Sequence, residues 1–265
     1  MLKIIDTLRA KRVAVVAAAC LTAPVANATI VEFQTAAGNF QVNLYDNATP
    51  ETVTNFLAYV NNGDYTNAIF HRSVPGFVIQ GGGFKYETRP PLQTVPSRGA
   101  ITNEPEFANL RGTIAMAKIG GDPNSATSQW FFNLADNTTI LDGQNGGFTV
   151  FGEVMDNGMD VVDAIAALPI YNFGGVISET PLRNYTQQDF DNFVDPDENN
   201  FVMINAIVVT DTTVDTAAGL NPPLNTVTNA PPAPPAPIDG GGGGGSFGWL
   251  SLIGLLLLRR RRIQR

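Results

Sequence analysis

The residue types most able to do chemistry in this chain lie between Phe70 and Gly82, in the sequence FHRSVPGFVIQGG. The segment holds the chain's only histidine, His71, followed by Arg72, and it continues with Phe77 and Gln80. An arginine guanidinium keeps its charge at every working pH and presents a rigid fork of hydrogen-bond donors. Beside apolar side chains, such a fork can stabilise a polar group that changes its charge or geometry during a reaction. The segment therefore combines fixed hydrogen-bond donors with apolar side chains in one short stretch.

Residue counts argue against three other kinds of site. The chain has one histidine and one cysteine, Cys20, which are too few for a zinc site. A triad built on Ser125 or Ser128 would need a second histidine as its base. The glycine run 81–83 lacks the Lys-Ser/Thr that follows a phosphate-binding loop, so it indicates tight backbone packing instead.

His71 invites a general-base interpretation because its side chain titrates near neutral pH. Neighbouring residues in a strand, however, point to opposite faces of the sheet. If Arg72 faces a substrate, His71 faces the interior of the protein. The sequence therefore predicts a buried, hydrogen-bonded structural role for His71.

The elements that must position these residues are mainly strands. Alternating or apolar runs predict strands at 29–35, 39–46, 68–72, 77–80, 112–117, 130–134, 148–154 and 201–210. A first helix is predicted with Thr49 as its N-cap, Pro50 at its first position and Gly63 beyond its end. A second is predicted at 159–167. Composition and spacing alone favour a β-rich barrel or sandwich with helices. We expect residues 169–200 to form an irregular insertion with an acidic surface loop at 189–200.

The N-terminal residues 1–28 have the composition of a secretory signal peptide. A basic start precedes an apolar run, and Ala26-Asn27-Ala28 is a small-x-small cleavage site. A buried first helix is the alternative, but the apolar run is short and flanked by charge on one side. Cleavage after Ala28 would also remove Cys20, leaving a mature chain without disulfides.

The C-terminal residues form a second targeting signal. A Pro- and Gly-rich linker is predicted at 212–245, and residues 246–265 combine a short apolar helix with the basic cluster Arg259–Arg262. The twelve apolar residues 247–258 are fewer than the roughly 20 that a spanning helix needs. The glycine run, short helix and arginine cluster resemble bacterial glycine-glycine sorting tails, which rhomboid-type proteases cut. The alternative is a plain anchor in the inner membrane.

The part between the two ends is strongly acidic. Residues 29–239 contain 7 Lys and Arg against 23 Asp and Glu, a net charge of about −16. This balance argues against nucleic acid as a partner, because few basic residues are available to meet phosphates.

The segment FHRSVPGFVIQGG closely resembles the signature of cyclophilins, the peptidyl-prolyl cis/trans isomerases, which reads FHR-x-x-PGF-x-x-QGG around the catalytic arginine. Three further segments resemble cyclophilin segments in the same order: RGTIAMAK, NSATSQWFFNLADN and FTVFGEVMDNGMDVVDAI. The resemblance covers nearly all of 29–211, and the bacterial exported branch fits it best. It implies a mainly β fold, a closed eight-stranded antiparallel β-barrel capped by two α-helices, with no cofactor and no metal.

The resemblance also implies roles for individual residues. Arg72 matches the catalytic arginine, and Gln80 and Phe77 belong to the same catalytic set. The implied substrate-binding residues are Met116, Ala117, Gln129, Phe131, Leu141 and Phe148. Any one of these apolar residues would otherwise be assigned to the core. A glutamine between apolar strand residues is costly unless its amide is paired, by about 1–3 kcal/mol.

Three positions depart from the family pattern. Ile140 stands where cyclosporin-sensitive members have tryptophan, Phe148 where eukaryotic members have histidine, and Lys118 where a substrate-binding asparagine is usual. We expect weak cyclosporin binding because the indole N–H donor is missing. The preference for residues around proline stays open.

The predicted function is a prolyl isomerase that acts on Xaa–Pro segments of unfolded or partly folded exported proteins. Such bonds isomerise in tens of seconds or more unaided. The signal-like N-terminus and the sorting-tail resemblance predict a protein that is periplasmic, at the cell surface or secreted after tail processing. The tail is expected in the inner membrane at least transiently, with a rhomboid-type protease as partner, and we expect a monomer. Two alternatives stay open: a non-catalytic chaperone that binds proline peptides, and a surface interaction module.

Overall fold

The computed structural model describes residues 29–212, 217 and 220–228. The predicted signal peptide and the predicted sorting tail lie outside these residues. No helix within the described residues combines the length and the apolar composition needed to span a bilayer.

Strands dominate the described part of the chain. In chain order they are β1 (Ile30–Thr35), β2 (Gly38–Leu44), β3 (Ala68–Ile69), β4 (Arg72–Val74), β5 (Val78–Gly81), β6 (Phe84–Lys85), β7 (Gln93–Thr94), β8 (Thr113–Met116), β9 (Trp130–Asn133), β10 (Val150–Val154), β11 (Ile170–Tyr171), β12 (Thr180–Pro181) and β13 (Met203–Asp211). The helices are α1 (Pro50–Asn61), α2 (Thr138–Leu141), α3 (Gly158–Ala166) and α4 (Gln187–Asp191). Every strand expected from sequence pattern has a counterpart, although the predicted strand 68–72 is divided between β3 and β4.

The described residues build one curled antiparallel sheet of eleven strands, in the order β4-β5-β9-β8-β10-β2-β1-β13-β3-β6-β7, with β11 and β12 pairing separately. The mainly β fold is therefore confirmed. The closed barrel of eight strands is not, because the strand order has two ends and includes short strands, β6 and β7, that no sequence pattern predicted.

The core follows from alternation along the strands. In β1, Val31 and Phe33 are fully buried while Glu32 and Gln34 between them are half-buried. The Phe33 ring stacks on Phe40 at 5.0 Å between centroids. The same ring meets Trp130 edge-on at 5.2 Å. Aromatic pairs at these separations add about 0.5–1.5 kcal/mol each to the burial of their surface, so this cluster stabilises the core.

Helix α1 begins at Pro50 behind Thr49, as predicted. The Thr49 hydroxyl donates to Tyr45 O instead of capping the helix. Its capping role is taken by Glu104, whose carboxylate accepts hydrogen bonds from the Thr52 N–H at 2.9 Å and the Glu51 N–H at 3.3 Å. An acidic group at this end also complements the helix dipole. Helix α3 agrees with the second predicted helix within one residue at each end.

The segment 169–200, which we call the insert, is more ordered than its sequence suggested. It contains the two-stranded ribbon β11–β12 and helix α4, and its aromatic residues pack against the sheet. Most of the insert is irregular, as expected, but these short elements were not predicted. The acidic end of the insert does lie on the surface, with most of residues 189–200 exposed.

Residues 220–228, inside the predicted linker, lie against the domain. Leu224 forms a bridge with Phe107, and Asn225 is fully buried. We call this segment the strap.

Candidate active site

The register of the sheet places the key residues in one row. Arg72 on β4 pairs with Gln80 on β5, Gln80 pairs with Phe131 on β9, and Phe131 pairs with Ala115 on β8. Side chains that are directly opposite on neighbouring strands project from the same face of the sheet. A cationic donor, an amide and an aromatic ring are thus brought together from residues that are far apart in sequence.

The two glutamines implied by the resemblance meet directly. Gln80 Nε2 donates to Gln129 Oε1 at 2.7 Å. The glycine run permits this approach, because a Cβ at Gly83 would lie 2.7 Å from Gln129 Cδ. A Cβ at Gly81 would lie 2.6 Å from the Trp130 ring. The run thus serves tight packing, as predicted.

An apolar cluster lies beside this row, and we call it the pocket cluster. Its buried side chains come from β5, β8, β9, β10, α2 and the loops between elements, and Phe77 and Ala117 pack against them. The buried members are Tyr45, Val78, Phe107, Ala115, Phe131, Leu141, Phe148 and Val150. The Phe131 and Phe148 rings meet edge-on at 5.8 Å. Phe77, Ala117, Phe131, Leu141 and Phe148 are therefore brought together as expected.

Met116 is not brought into the pocket cluster. It pairs with Trp130 across β8 and β9, is 1% exposed, and packs in the main core. The physical reason is the two-residue period of a strand: if Ala115 faces the pocket cluster, its neighbour faces the opposite side. The same period identifies Val78, which sequence reasoning missed. Val78 stands two residues before Gln80 on β5 and therefore shares its face.

Arg72 is half-buried and has an unexpected partner in the insert. Its Nε donates to Glu179 Oε2 at 2.7 Å, and the two side chains are 20% and 41% exposed. Sequence reasoning missed Glu179, which is 107 residues from Arg72 and carries no local signal of this contact.

Lys118 takes the position of the family's substrate-binding asparagine and is tied into the loop before β10. Its ammonium donates to the carbonyl oxygens of Asn145 and Gly147 and lies 4.8 Å from the Phe148 ring centroid. Burial lowers the pKa of Lys118 to about 8, because the charged form loses water. The two carbonyls and the ring offset part of that cost.

His71 lies on the interior side, as alternation predicted. The ring is 3% exposed and meets Phe84 edge-on at 4.9 Å. Burial, together with the nearby charge of Arg72, lowers the pKa of His71 to about 3, so the imidazole is neutral at physiological pH. Its Nδ1 has no hydrogen-bond partner within the described residues. Because the ring is buried and its lowered pKa makes it a weak base, it is not placed to act as a general base for a substrate near Arg72.

Comparisons with known proteins identify the family of this chain. The family described as cyclophilin type peptidyl-prolyl cis-trans isomerase/CLD matches residues 30–186. A peptidyl-prolyl cis-trans isomerase of Acinetobacter baylyi is 43% identical over 166 residues, which cover 62% of this chain and 86% of the relative. Peptidyl-prolyl cis-trans isomerase B of Escherichia coli is 44% identical over 142 residues, which cover 51% of this chain and 83% of the relative.

A solved structure is similar as well. The crystal structure of a cyclophilin type peptidyl-prolyl cis-trans isomerase of Cryptosporidium parvum has a TM-score of 0.51 and 25% sequence identity, covering 70% of this chain and 99% of that one. The family match spans most of the described domain, and the relatives are covered over most of their length. This chain belongs to the cyclophilin-type peptidyl-prolyl cis-trans isomerases and is an enzyme of that class.

Proposed function

We propose that the chain accelerates rotation about Xaa–Pro bonds by donating hydrogen bonds from Arg72, while the pocket cluster holds the proline ring. The observation that carries this proposal is the row of Arg72, Gln80 and Phe131 across three paired strands. Amide resonance sets the barrier to rotation at about 18–20 kcal/mol. Donors that favour the twisted bond over the planar one lower this barrier without a nucleophile, a metal or an acid–base pair.

The supporting residues have defined parts in the proposal. Phe131, Leu141 and Phe148 offer an apolar surface to the ring, and Phe77 packs at its edge. The Gln80–Gln129 bond fixes both amides, so one of them can hold the substrate backbone while the carbonyl swings. Met116 lies behind this surface in the main core, where it packs with Trp130.

The test is a protease-free isomerisation assay of a proline tetrapeptide with the full chain. We expect Arg72→Ala to lower kcat/KM by about 100- to 1,000-fold, the usual effect of removing a fixed donor from an active site. Arg111→Ala is the matched control, because Arg111 forms its ion pair with Asp163 on α3. An Arg72→Ala variant with full activity and a normal melting temperature would refute the proposal.

The alternative is a module that binds proline peptides without turnover. Its one favouring observation is the engagement of Arg72 by Glu179, which occupies a donor that a catalyst would otherwise offer to substrate. Because that bond uses Nε, the two terminal nitrogens of Arg72 are still available to a ligand. We therefore favour catalysis over binding without turnover.

We also propose that the substrates are exported proteins. The support lies in the sequence of the two ends: the signal-like residues 1–28 and the glycine, apolar and arginine segments of 240–262. In this proposal the mature chain is a monomer outside the cytoplasm, held at the inner membrane until a rhomboid-type protease cuts the tail. Mass spectrometry of the mature chain tests it, with a new N-terminus at Thr29 and a C-terminus before the arginine cluster as the expected result. An intact N-terminus would contradict it.

We also propose that the sheet closes into an eight-stranded barrel. Strands β3 and β4 lie near opposite ends of the strand order but are joined by only Phe70 and His71. The Phe70 N–H donates to Val202 O on one side, and the His71 N–H donates to Gln80 O on the other. Counted as one strand, β3 and β4 would close a ring of eight with β5, β9, β8, β10, β2, β1 and β13.

A further inference from the structure

The contact between Glu179 and Arg72 is built into the backbone as well as the side chains. Glu179 forms an isolated parallel bridge with Arg72, so it extends the row of Arg72, Gln80 and Phe131 by one position. The Ser73 N–H donates to Glu179 O at 2.7 Å. The neighbouring Thr180 hydroxyl donates to His71 O at 2.9 Å. These hydrogen bonds fix the main chain around Glu179, so its side chain extends from a fixed position beside the Arg72 guanidinium.

The insert that carries Glu179 is itself anchored. Tyr171 and Tyr185 meet edge-on at 5.0 Å between ring centroids, and the Tyr171 hydroxyl donates to Tyr185 O at 2.9 Å. These rings form one cluster with Ile69 and Phe201 of the domain. Helix α4 begins with a reciprocal capping box between Thr186 and Asp189. The insert therefore presents Glu179 on packed structure, which is the condition for precise orientation of a site residue.

Within the described residues, the recorded hydrogen bond of the Arg72 side chain is the one from Nε to Glu179. A bond at Nε restricts rotation of the guanidinium plane, while the donors of the two terminal nitrogens are left for other partners. Gln80 stands on the other side of Arg72 in the row. Arg72 therefore lies between Glu179, whose carboxylate it contacts, and the strand that carries Gln80.

We propose that Glu179 is a positioning residue for the catalytic arginine, so that the insert sets the orientation of the guanidinium for Xaa–Pro isomerisation. This inference depends on the proposed function, because it assumes that Arg72 is the catalytic donor. Glu179 touches Arg72 and acts on the substrate through it. Ion pairs as exposed as this one add little to stability, so its removal affects catalysis more than folding.

The test compares kcat and KM of Glu179→Ala, Glu179→Gln and wild type in the full chain. We expect Glu179→Ala to lower kcat about three- to tenfold with little change in KM, because a mobile guanidinium is less often aligned with the transition state. Glu179→Gln keeps an acceptor oxygen for Nε and restores part of the loss. The melting temperatures of both variants stay within about 2–4 °C of wild type.

The matched control is Asp195→Ala, which removes an exposed carboxylate from the same insert and leaves kcat unchanged. Wild-type kcat in Glu179→Ala overturns the inference, as does a Glu179→Gln variant no more active than Glu179→Ala. The Arg72→Ala variant distinguishes a failure of the proposed function from a failure of the positioning role alone. If Arg72→Ala is fully active, the proposed function fails; if it is inactive while Glu179→Ala is fully active, only the positioning role fails.

Discussion

The strap offers a quantitative test of how the pocket cluster is supported. Asn225 is fully buried, and its Nδ2 donates to Asp142 O at 2.9 Å. Its Oδ1 accepts from the Val227 and Thr228 N–H groups at 2.9 and 3.1 Å. Asp142 follows Leu141 directly, so this one side chain links the strap to the wall of the pocket cluster.

Replacing Asn225 with alanine removes all three hydrogen bonds. A buried group left unpaired costs about 1–3 kcal/mol, but the two N–H groups of the strap are partly accessible to water. We therefore expect the free energy of unfolding to fall by about 2 kcal/mol. For a domain of this size that corresponds to a melting temperature lower by about 4–8 °C.

The assay is thermal unfolding of the full chain followed by circular dichroism, with Thr226→Ala as control because Thr226 is exposed on the same strap. Asn225→Asp is a sharper variant, since it places an acceptor oxygen opposite Asp142 O and destabilises at least as much. A melting temperature for Asn225→Ala within about 1 °C of wild type would refute the reasoning, because the strap would then contribute nothing to the domain.

Two further predictions concern other parts of the site. Because burial lowers the pKa of Lys118 to about 8 from 10.5, the unfolded chain holds that proton more tightly between these two pH values. We therefore expect the unfolding free energy of wild type minus that of Lys118→Met to rise as the pH increases from 8 to 10.5. Urea unfolding at several pH values measures this difference. A difference that falls with pH would contradict the lowered pKa of Lys118. Gly81→Ala should cost about 1–3 kcal/mol of stability, since its Cβ would lie 2.6 Å from the fully buried Trp130 ring. A Gly81→Ala variant with the stability of wild type would contradict the predicted clash.

Local pattern was sufficient to predict most of the sheet. Strand β1 alternates strictly between buried and half-buried residues, so its period is visible in the sequence. Arg72, Gln80, Gln129 and Phe131 could be chosen only through the cyclophilin resemblance. Their physical connection is the register of three strands, which no local window contains.

Two of the misses have the same cause, a contact between segments that are far apart in the chain. Glu179 reaches Arg72 across 107 residues, and the strap meets Phe107 from far along the chain. Met116 was assigned to the pocket by segment, whereas strand period alone separates it from Ala115. The insert did carry a usable signal, since Tyr171, Phe173, Tyr185 and Phe190 are too many large aromatics for a solvated loop.

The central claim is that Arg72 turns a proline-binding surface into a catalyst. Exchange NMR of a proline peptide with the full chain tests this directly, because it measures binding and cis–trans interconversion in one sample. We predict fast exchange between the cis and trans signals with wild type, and with Arg72→Ala a peptide that still binds the pocket cluster but exchanges at nearly the uncatalysed rate. Undiminished exchange with Arg72→Ala would contradict the account.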